Sequence, residues 1–335
     1  LEINICIFIF AAIIVAIVGT KMAKIADQLA VRTGWGEAII GAAFLGGSTS
    51  LPGIVTSVTA AAGGHPELAV SNAIGGIAAQ TAFLAIADLF YRKANLEHAA
   101  ASIANLVQGT VLMSLLAIPL LAMSGPQISF GGIHPATIVL LAAYIFGMRL
   151  VVTAEKTQMW SPRQTTLTQV KELIADNSDL SLPQLWFRFG IYAILIAISG
   201  FGIAKSGIAI ASLTGISESL VGGFFTAVCT SLPELVTTIA AVRRGALTLS
   251  IGGVIGGNCF DLLLLAFSDL AYRDGSIYNA LANRQIFVMS LTILMIGVLL
   301  LGLLQREEKG PGNIGFESFL ILILYASGVG LLFVS

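Results

Sequence analysis

The residues that could do chemistry lie in two short segments whose surroundings are almost entirely apolar. One is Thr230-Ser231-Leu232-Pro233-Glu234 and the other is Asn258-Cys259-Phe260-Asp261. A carboxylate at the centre of a membrane-spanning helix costs at least about 2.5–3.5 kcal/mol, so Glu234 and Asp261 are predicted to be functional. Asn258 and Asp261 are three residues apart and therefore share one helical face. Oxygen ligands of this kind are typical of sites for hard cations.

Two prolines, Pro52 and Pro233, fall in the middle of apolar runs. Each removes a backbone donor and clashes with the carbonyl group four residues earlier. The freed carbonyl and neighbouring hydroxyl oxygens then become candidate ligands for Na⁺ or Ca²⁺. The predicted ion ligands are therefore Glu234, Asp261, Asn258, Thr230, Ser231, Thr49, Ser50 and the carbonyl groups of Ser48 and Cys229. The alternative is a simple proline kink whose hydroxyl groups bond back to their own helix.

An internal repeat relates the two proline segments. An offset of 181 positions aligns residues 34–89 with 215–270 without a gap. Thr-Ser-Leu-Pro recurs at 49–52 and 230–233, and Asp-Leu recurs at 88–89 and 269–270. Hydrophobicity alone does not reproduce such motifs in register, so the repeat indicates a duplication. Asp88 and Asp269 fall at span ends, and we expect them to be solvated caps.

The two copies differ at the positions that carry charge. Gly53 stands opposite Glu234, Ile77 opposite Asn258, and Gln80 opposite Asp261. Both copies thus keep the proline that interrupts the helix, whereas the two carboxylates occur only in the second copy.

The composition and the apolar runs predict a chain that lies in a lipid bilayer. Charged residues make up 10% of the 335 residues, apolar residues make up 56%, and the mean hydropathy is +0.93. About a quarter of a soluble domain is charged, so we expect this chain to lie in lipid. Runs long enough to cross a bilayer fall near 3–20, 36–62, 67–90, 99–123, 134–152, 187–206, 217–241, 247–270, 280–303 and 316–334. We expect the first run to be a retained span and not a signal peptide.

These runs predict an all-α membrane protein of about ten transmembrane helices, built as two inverted five-helix repeats. The predicted divisions are a first half at 1–152, a cytoplasmic linker at 153–186 and a second half at 187–335. Five is an odd number, so the copies cross the membrane in opposite senses, an arrangement typical of secondary transporters.

The basic residues predict the orientation. With the N-terminus outside, fourteen of the seventeen Lys and Arg residues fall on the inner side, which leaves only Lys205, Arg273 and Arg284 outside. Both termini are then outside the cell membrane, plasma or inner. The linker is expected to contain an amphipathic helix from Thr165 to Ile174, lying along the membrane.

The second proline segment, followed by Ile255-Gly256-Gly257-Asn258, resembles the α-repeat of the cation/calcium exchanger superfamily, which includes Na⁺/Ca²⁺ exchangers. The resemblance covers nearly the whole chain and implies alternating access, with ions bound between the second, third, seventh and eighth helices. It also implies a transporter without enzymatic activity or a cofactor, whose partners are inorganic cations and the lipid bilayer. The near-neutral net charge of −1 excludes a strongly basic nucleic-acid binder, and nothing indicates an obligatory protein partner.

Three functions compete at this point. A secondary antiporter would exchange Na⁺ or H⁺ against another cation, Ca²⁺ by resemblance. A channel-like or leak pathway would keep the fold without obligatory exchange. A sensor or scaffold that does not transport would gain stability by losing the buried charge, which disfavours it. Because Gly53 replaces an acid, we expect weak Ca²⁺ binding, use of monovalent ions, or exchange for protons carried by Glu234.

Overall fold

The computed structural model describes residues 1–33, 39–91, 93–100, 102–157, 161–163, 165–166, 168, 180–310 and 314–334. Over these residues the chain is helical, apart from an isolated β-bridge between Phe130 and Ile133. The repeat positions 34–38 and most of the stretch predicted to be an amphipathic helix lie outside the described residues.

The helices of the first half are α1 Glu2–Thr33, α2 Ile39–Thr49, α3 Leu51–Ala62, α4 Pro66–Asp88, α5 Leu96–Ala99, α6 Ile103–Ser124 and α7 Pro135–Lys156. Those of the second half are α8 Leu182–Thr214, α9 Glu218–Leu220, a π-helical turn Val221–Thr226, α10 Ala227–Thr230, α11 Leu232–Arg244, α12 Leu247–Asp261, α13 Leu263–Ala271, a 3₁₀ turn Ile277–Ala280, α14 Asn283–Gln305 and α15 Phe316–Val334.

The described helices account for about ten transmembrane spans. Eight are long and apolar enough to cross a bilayer, and the bent pair 218–230 and 232–244 makes a ninth. The predicted span 36–62 corresponds to α2 and α3, which are separated at Ser50. The prediction of an all-α membrane protein with two inverted repeats is therefore confirmed.

Two predicted spans are much shorter than the helices that contain them. The run 3–20 belongs to the 32-residue α1, and the run 187–206 belongs to the 33-residue α8. Hydropathy identifies only the continuous apolar part of a helix. The helix itself continues for as long as its backbone hydrogen bonds do. Helix α8 begins at Leu182, where the Ser181 N–H group donates a hydrogen bond of 2.9 Å to Gln184 Oε1.

Helix α4 is the centre of the molecule. It is buried along almost its whole length and packs against α3, α11, α12, α14 and α15. Glycines allow its closest crossing, because a Cβ atom added to Gly75 would lie 2.2 Å from the Gly223 carbonyl oxygen of the π-helical turn. Residues that α4 carries on any face therefore meet protein and not lipid.

The expectation that Asp88 and Asp269 are solvated is wrong. Their exposed fractions are 0% and 1%. Both carboxylates accept hydrogen bonds from backbone N–H groups of loops and helix starts that fold over them. A position at the end of a span did not reveal that the adjoining loops are themselves packed.

Candidate ion-binding site

The site is built on two helix breaks. Ser50 separates α2 from α3, and Ser231 separates α10 from α11 with a bend of 46°. Pro52 and Pro233 each stand in the first turn of the helix after the break, where a missing N–H group is tolerated. The prolines thus begin new helices inside the bilayer.

Each break is covered by a long helix of the other half. A Cβ atom added to Gly19 of α1 would lie 2.4 Å from Cγ of Pro233, and one added to Gly200 of α8 would lie 2.9 Å from the Pro52 carbonyl oxygen. Gly19 and Gly200 are themselves 181 positions apart, so the two contacts are equivalent under the repeat. Glycine at both positions lets the long helices pack directly on the breaks.

Asp261 lies between the two breaks. Ser50 Oγ donates a hydrogen bond to its Oδ1 atom. Gln80 Nε2 donates to Oδ2 over 2.7 Å and also reaches Ser231 Oγ over 3.3 Å. Donors from the first repeat therefore hold the Asp261 carboxylate. The Gln80 amide connects the first half to both Asp261 and Ser231 of the second half.

Glu234 lines the same cavity but is held differently. Its side chain is 8% exposed, and its Oε2 atom has no hydrogen-bond partner among the described residues. The cavity is small, with roughly the room of one water molecule or one bare ion. Its lining is Ser50, Gly53, Asn72, Ala73, Gly76, Gln80, Thr230, Ser231, Glu234, Asp261 and Leu264. A buried carboxylate oxygen without a donor is an acceptor that a cation or a proton would satisfy.

The predicted ligands did not include two polar residues that line this cavity, Gln80 and Asn72. Asn72 Oδ1 accepts a hydrogen bond from Thr226 Oγ1 over 2.6 Å, and its Nδ2 donates to Ser57 Oγ over 2.9 Å. Comparison of the two repeats did not point to Asn72, because the equivalent residue of the second repeat is Gly253. An asparagine within the mainly apolar run of α4 was the available signal.

Several predicted ligands lie outside the cavity. The hydroxyl groups of Ser48 and Thr49 bond back to Phe44, Leu45 and Gly46 carbonyl oxygens, which is the alternative geometry of a kinked helix. Cys229 packs against an apolar cluster around α1 and α8. Ser48, Thr49 and Cys229 are not among the residues that line the cavity, so neither these side chains nor the predicted Ser48 and Cys229 carbonyl groups reach it in this structure.

Asn258 also lies apart from the cavity lining. It is 1% exposed, donates weakly to Thr81 Oγ1 over 3.4 Å, and its Oδ1 atom has no partner among the described residues. The nearby Gly256 faces Gln108 of α6, where an added Cβ would lie 2.6 Å from Nε2. Gly256 therefore admits α6, whereas a Cβ atom added to Gly257 would lie 3.7 Å from Gln80 Oε1 of α4. Thr230, Ser231, Ser50, Glu234 and Asp261 are the predicted residues that share the cavity.

The carboxylate count in the site is low. Within the described part of the chain, no three His, Cys, Asp or Glu side chains converge as a metal-binding group. The acidic side chains that line the cavity are Glu234 and Asp261, and the remaining oxygen atoms are neutral. The arrangement can hold a cation with at most two carboxylates.

Comparison with known proteins agrees with this architecture. The model of the family described as sodium/calcium exchanger protein matches residues 3–153 and again residues 184–334. The inner membrane protein YrbG of Escherichia coli K12 is 26% identical over 305 residues, covering 87% of each chain.

Solved structures share the fold. The sodium-calcium exchanger NCX_Mj superposes with a TM-score of 0.60 at 21% identity and covers 98% of both chains. The H⁺/Ca²⁺ exchanger CAX superposes with a TM-score of 0.67 at 15% identity, covering 99% of this chain and 86% of its own. Since one family model matches each half and together the matches span most of the chain, this protein is a member of the sodium/calcium exchanger family, whose proteins are membrane transporters and not enzymes.

Proposed function

We propose that this protein is a secondary active cation antiporter that binds its ion in the cavity between the two helix breaks, with Glu234 as the principal ligand. The observation that carries the proposal is the buried, unpartnered Oε2 atom of Glu234 in a cavity lined by hydroxyl groups from both breaks. A carboxylate at this depth is costly unless a cation or a proton satisfies it. Relatives named for Na⁺/Ca²⁺ and H⁺/Ca²⁺ exchange support a cation as the substrate.

The hydrogen bonds favour a site of low charge. Asp261 already accepts from Ser50 and Gln80, whereas Glu234 has an oxygen without a donor. A Ca²⁺ ion would compete with these donors for the oxygen atoms of Asp261, whereas Glu234 Oε2 has no donor among the described residues. We therefore infer that the site binds Ca²⁺ weakly, works on a monovalent ion, or exchanges a cation for a proton carried by Glu234.

Exchange is favoured over a continuous leak because the site is closed. Glu234 is 8% exposed and Asp261 is 5% exposed, so neither carboxylate lies in an open aqueous path. Alternating access would require α1 and α8 to move over the breaks on which Gly19 and Gly200 pack. On the proposed orientation both termini lie outside the cell membrane.

A flux assay on purified protein in liposomes tests the proposal. Ca²⁺, Mg²⁺, Mn²⁺, Na⁺ and K⁺ are each offered with and without an opposing Na⁺ or pH gradient, and an antiporter requires the counter-ion. Glu234→Gln should abolish or severely weaken transport, because the amide keeps the shape of the side chain but not its charge. Asp274→Asn, which neutralises an exposed loop carboxylate, is the control and should transport normally. Wild-type flux by folded Glu234→Gln would refute the assignment, and flux without any counter-ion would indicate a leak pathway instead.

A further inference from the structure

The end of α4 opposite Pro66 carries a buried aspartate that joins the two halves. Asp88 Oδ1 accepts a hydrogen bond from the Leu96 N–H group over 2.7 Å, within its own half. Its Oδ2 accepts from the Gly315 N–H group over 3.1 Å, at the start of α15 in the other half. We call this carboxylate and its partners the first aspartate junction.

The second repeat builds the same arrangement at the opposite end of the molecule. Asp269 accepts from the N–H groups of Ile277, over 2.8 Å, and His134, over 2.9 Å. The offset of 181 positions converts Asp88 into Asp269 and Leu96 into Ile277, and it converts His134 into Gly315. This second aspartate junction is therefore an internal reference for the first.

Two acids distinguish the first junction from the second. Glu97 directly follows Leu96, and Glu317 lies two residues after Gly315. The equivalent residues of the second junction are Tyr278 and Ala136. The backbone hydrogen bonds to the aspartate occur in both junctions and hold the helix ends together. They do not explain why the first junction also carries Glu97 and Glu317.

Both added acids are buried without adequate partners. Glu97 is 1% exposed and Glu317 is 0% exposed. Glu97 Oε1 accepts a long hydrogen bond of 3.5 Å from Ser318, but Glu97 Oε2 and both oxygen atoms of Glu317 have no partner among the described residues. Glycines make room for this carboxyl group, because a Cβ atom added to Gly315 would lie 2.0 Å from Glu317 Oε1. The fold thus accommodates Glu317 closely and places its carboxyl group near enough to that of Glu97 for the two to interact directly.

The charged groups around the pair do not neutralise it. Asp88 from α4 and Glu307 from the segment after α14 are the side chains that act on it electrostatically, and both are acids. The Arg306 guanidinium instead donates to the carbonyl oxygens of Arg163 and His98 and to Thr168 Oγ1. The His98 ring contacts the Arg306 carbonyl oxygen and Thr165 Oγ1.

The buried carboxyl groups of Glu97 and Glu317 favour a proton as their ligand. Burial raises the pKa of Glu97 well above its usual value, and the neighbouring carboxylates of Asp88 and Glu317 raise it further. Two carboxyl groups that share a proton satisfy each other, whereas two carboxylates in the same space repel.

We propose that Glu97 and Glu317 form a proton-binding site, separate from the ion-binding cavity, that fastens α15 and the loop after α4 to the end of α4 when it is occupied. On the proposed orientation this end faces the cytoplasm. Loss of the proton leaves repelling charges between α5 and α15, and the junction loosens. The site therefore makes one end of the helix that carries Asn72 and Gln80 responsive to alkaline pH.

The sign of the effect follows from proton linkage. A carboxyl group with a raised pKa in the packed state binds more protons there than in the opened state. The stabilisation is therefore present at low pH and is lost as the pH rises through the raised pKa. One linked proton changes the opening equilibrium by at most about tenfold per pH unit.

Hydrogen exchange on the whole protein in lipid nanodiscs tests this site directly. Wild type, Glu97→Gln, Glu317→Gln and the double variant are compared over a pH series, with peptides of the second aspartate junction as the reference in every sample. In the wild type, opening of residues 93–100 and 314–320 should increase with pH relative to residues 134–140 and 274–282. The double variant should lose this difference, because glutamine copies the neutral form of the acid.

An infrared difference spectrum provides the second measurement. The carbonyl stretch of a protonated carboxylic acid should be present at neutral pH in the wild type and reduced in Glu317→Gln and in the double variant. Equal pH profiles at both junctions of the wild type, or an unchanged carboxylic acid band in the folded variants, would refute the proposal. If the double variant fails to fold, the single variants test the site through the same two measurements.

Discussion

Replacing Gly53 by glutamate would give the first repeat the carboxylate that only the second repeat carries. Gly53 lines the cavity in the first turn of α3, one residue after Pro52. A Cβ atom there would lie 3.1 Å from Cδ2 of Leu264 and 3.9 Å from Nδ2 of Asn72. The nearest atom is the end of a flexible side chain, so the new side chain can enter after a small shift of Leu264. It would then share the cavity with Glu234.

The expected gain in Ca²⁺ affinity is large enough to measure. A unit charge about 4 Å from a divalent ion contributes roughly 8 kcal/mol at an effective dielectric constant of about 20, twice the value for two unit charges. Rearrangement of Leu264 and of the Gln80 hydrogen bonds will absorb part of this energy. We expect a net gain of about 1.4–2.8 kcal/mol, which is a ten- to hundredfold lower Kd. The crowding and the buried charge act on folding, so the free energy of unfolding should fall by about 1–3 kcal/mol.

Calorimetric titration of purified wild type and Gly53→Glu with Ca²⁺ measures both affinities. Gly53→Ala is the matched control, because it adds the same Cβ atom without a carboxylate and should leave Ca²⁺ binding unchanged. Glu234→Gln in the Gly53→Glu background should return the affinity toward that of the wild type. Should Gly53→Glu not fold, Gly53→Asp adds the charge with one methylene less.

Two outcomes would refute this reasoning. Tight Ca²⁺ binding by the wild type that is unchanged in Gly53→Glu would mean that position 53 does not contribute to the site. A gain of equal size in Gly53→Ala would mean that helix stabilisation, and not the carboxylate, strengthens binding.

The remaining predictions concern packing and topology. Gly19→Ala should lower the free energy of unfolding by about 1–3 kcal/mol, because the added Cβ would lie 2.4 Å from Pro233 Cγ. Gly190→Ala in α8, where nothing lies within 4 Å, is the control for thermal melting, and equal melting temperatures would contradict the close contact. Cysteine labelling of intact cells should miss a probe at position 178 and reach one at position 335, whereas the opposite pattern would overturn the proposed orientation.

The fold could be predicted from the sequence because each of its determinants is local or repeated. Apolar runs of bilayer length identify spans without knowledge of their neighbours. The recurrence of Thr-Ser-Leu-Pro places the breaks at Ser50 and Ser231 in equivalent helices. What hydropathy could not predict is the full length of α1 and α8, since a helix can continue past the apolar run that identifies its span.

The site was predicted only in part because hydroxyl geometry depends on tertiary contacts. Ser48, Thr49 and Ser50 are consecutive, yet Ser50 alone reaches Asp261 while the other two bond back to α2. Successive helical residues point about 100° apart, so one position in such a run meets any given neighbour. The role of Asn72 likewise depends on Thr226, which is 154 positions away and has no equivalent polar partner in the first repeat.

The difference between the repeats is itself part of the site. Gln80 and Asp261 are equivalent under the offset of 181, and they contact each other over 2.7 Å. A residue close to an approximate two-fold axis contacts its own equivalent from the other repeat. Gln80 and Asp261 are such a pair, so the difference between the repeats at this position is a difference between two groups that touch. Two acids there would repel, whereas an amide that donates to a carboxylate contributes about 1.5–3 kcal/mol. Gln80 is therefore better understood as the partner of Asp261 than as a lost ligand, which is why the proposed function assigns the transported ion to Glu234.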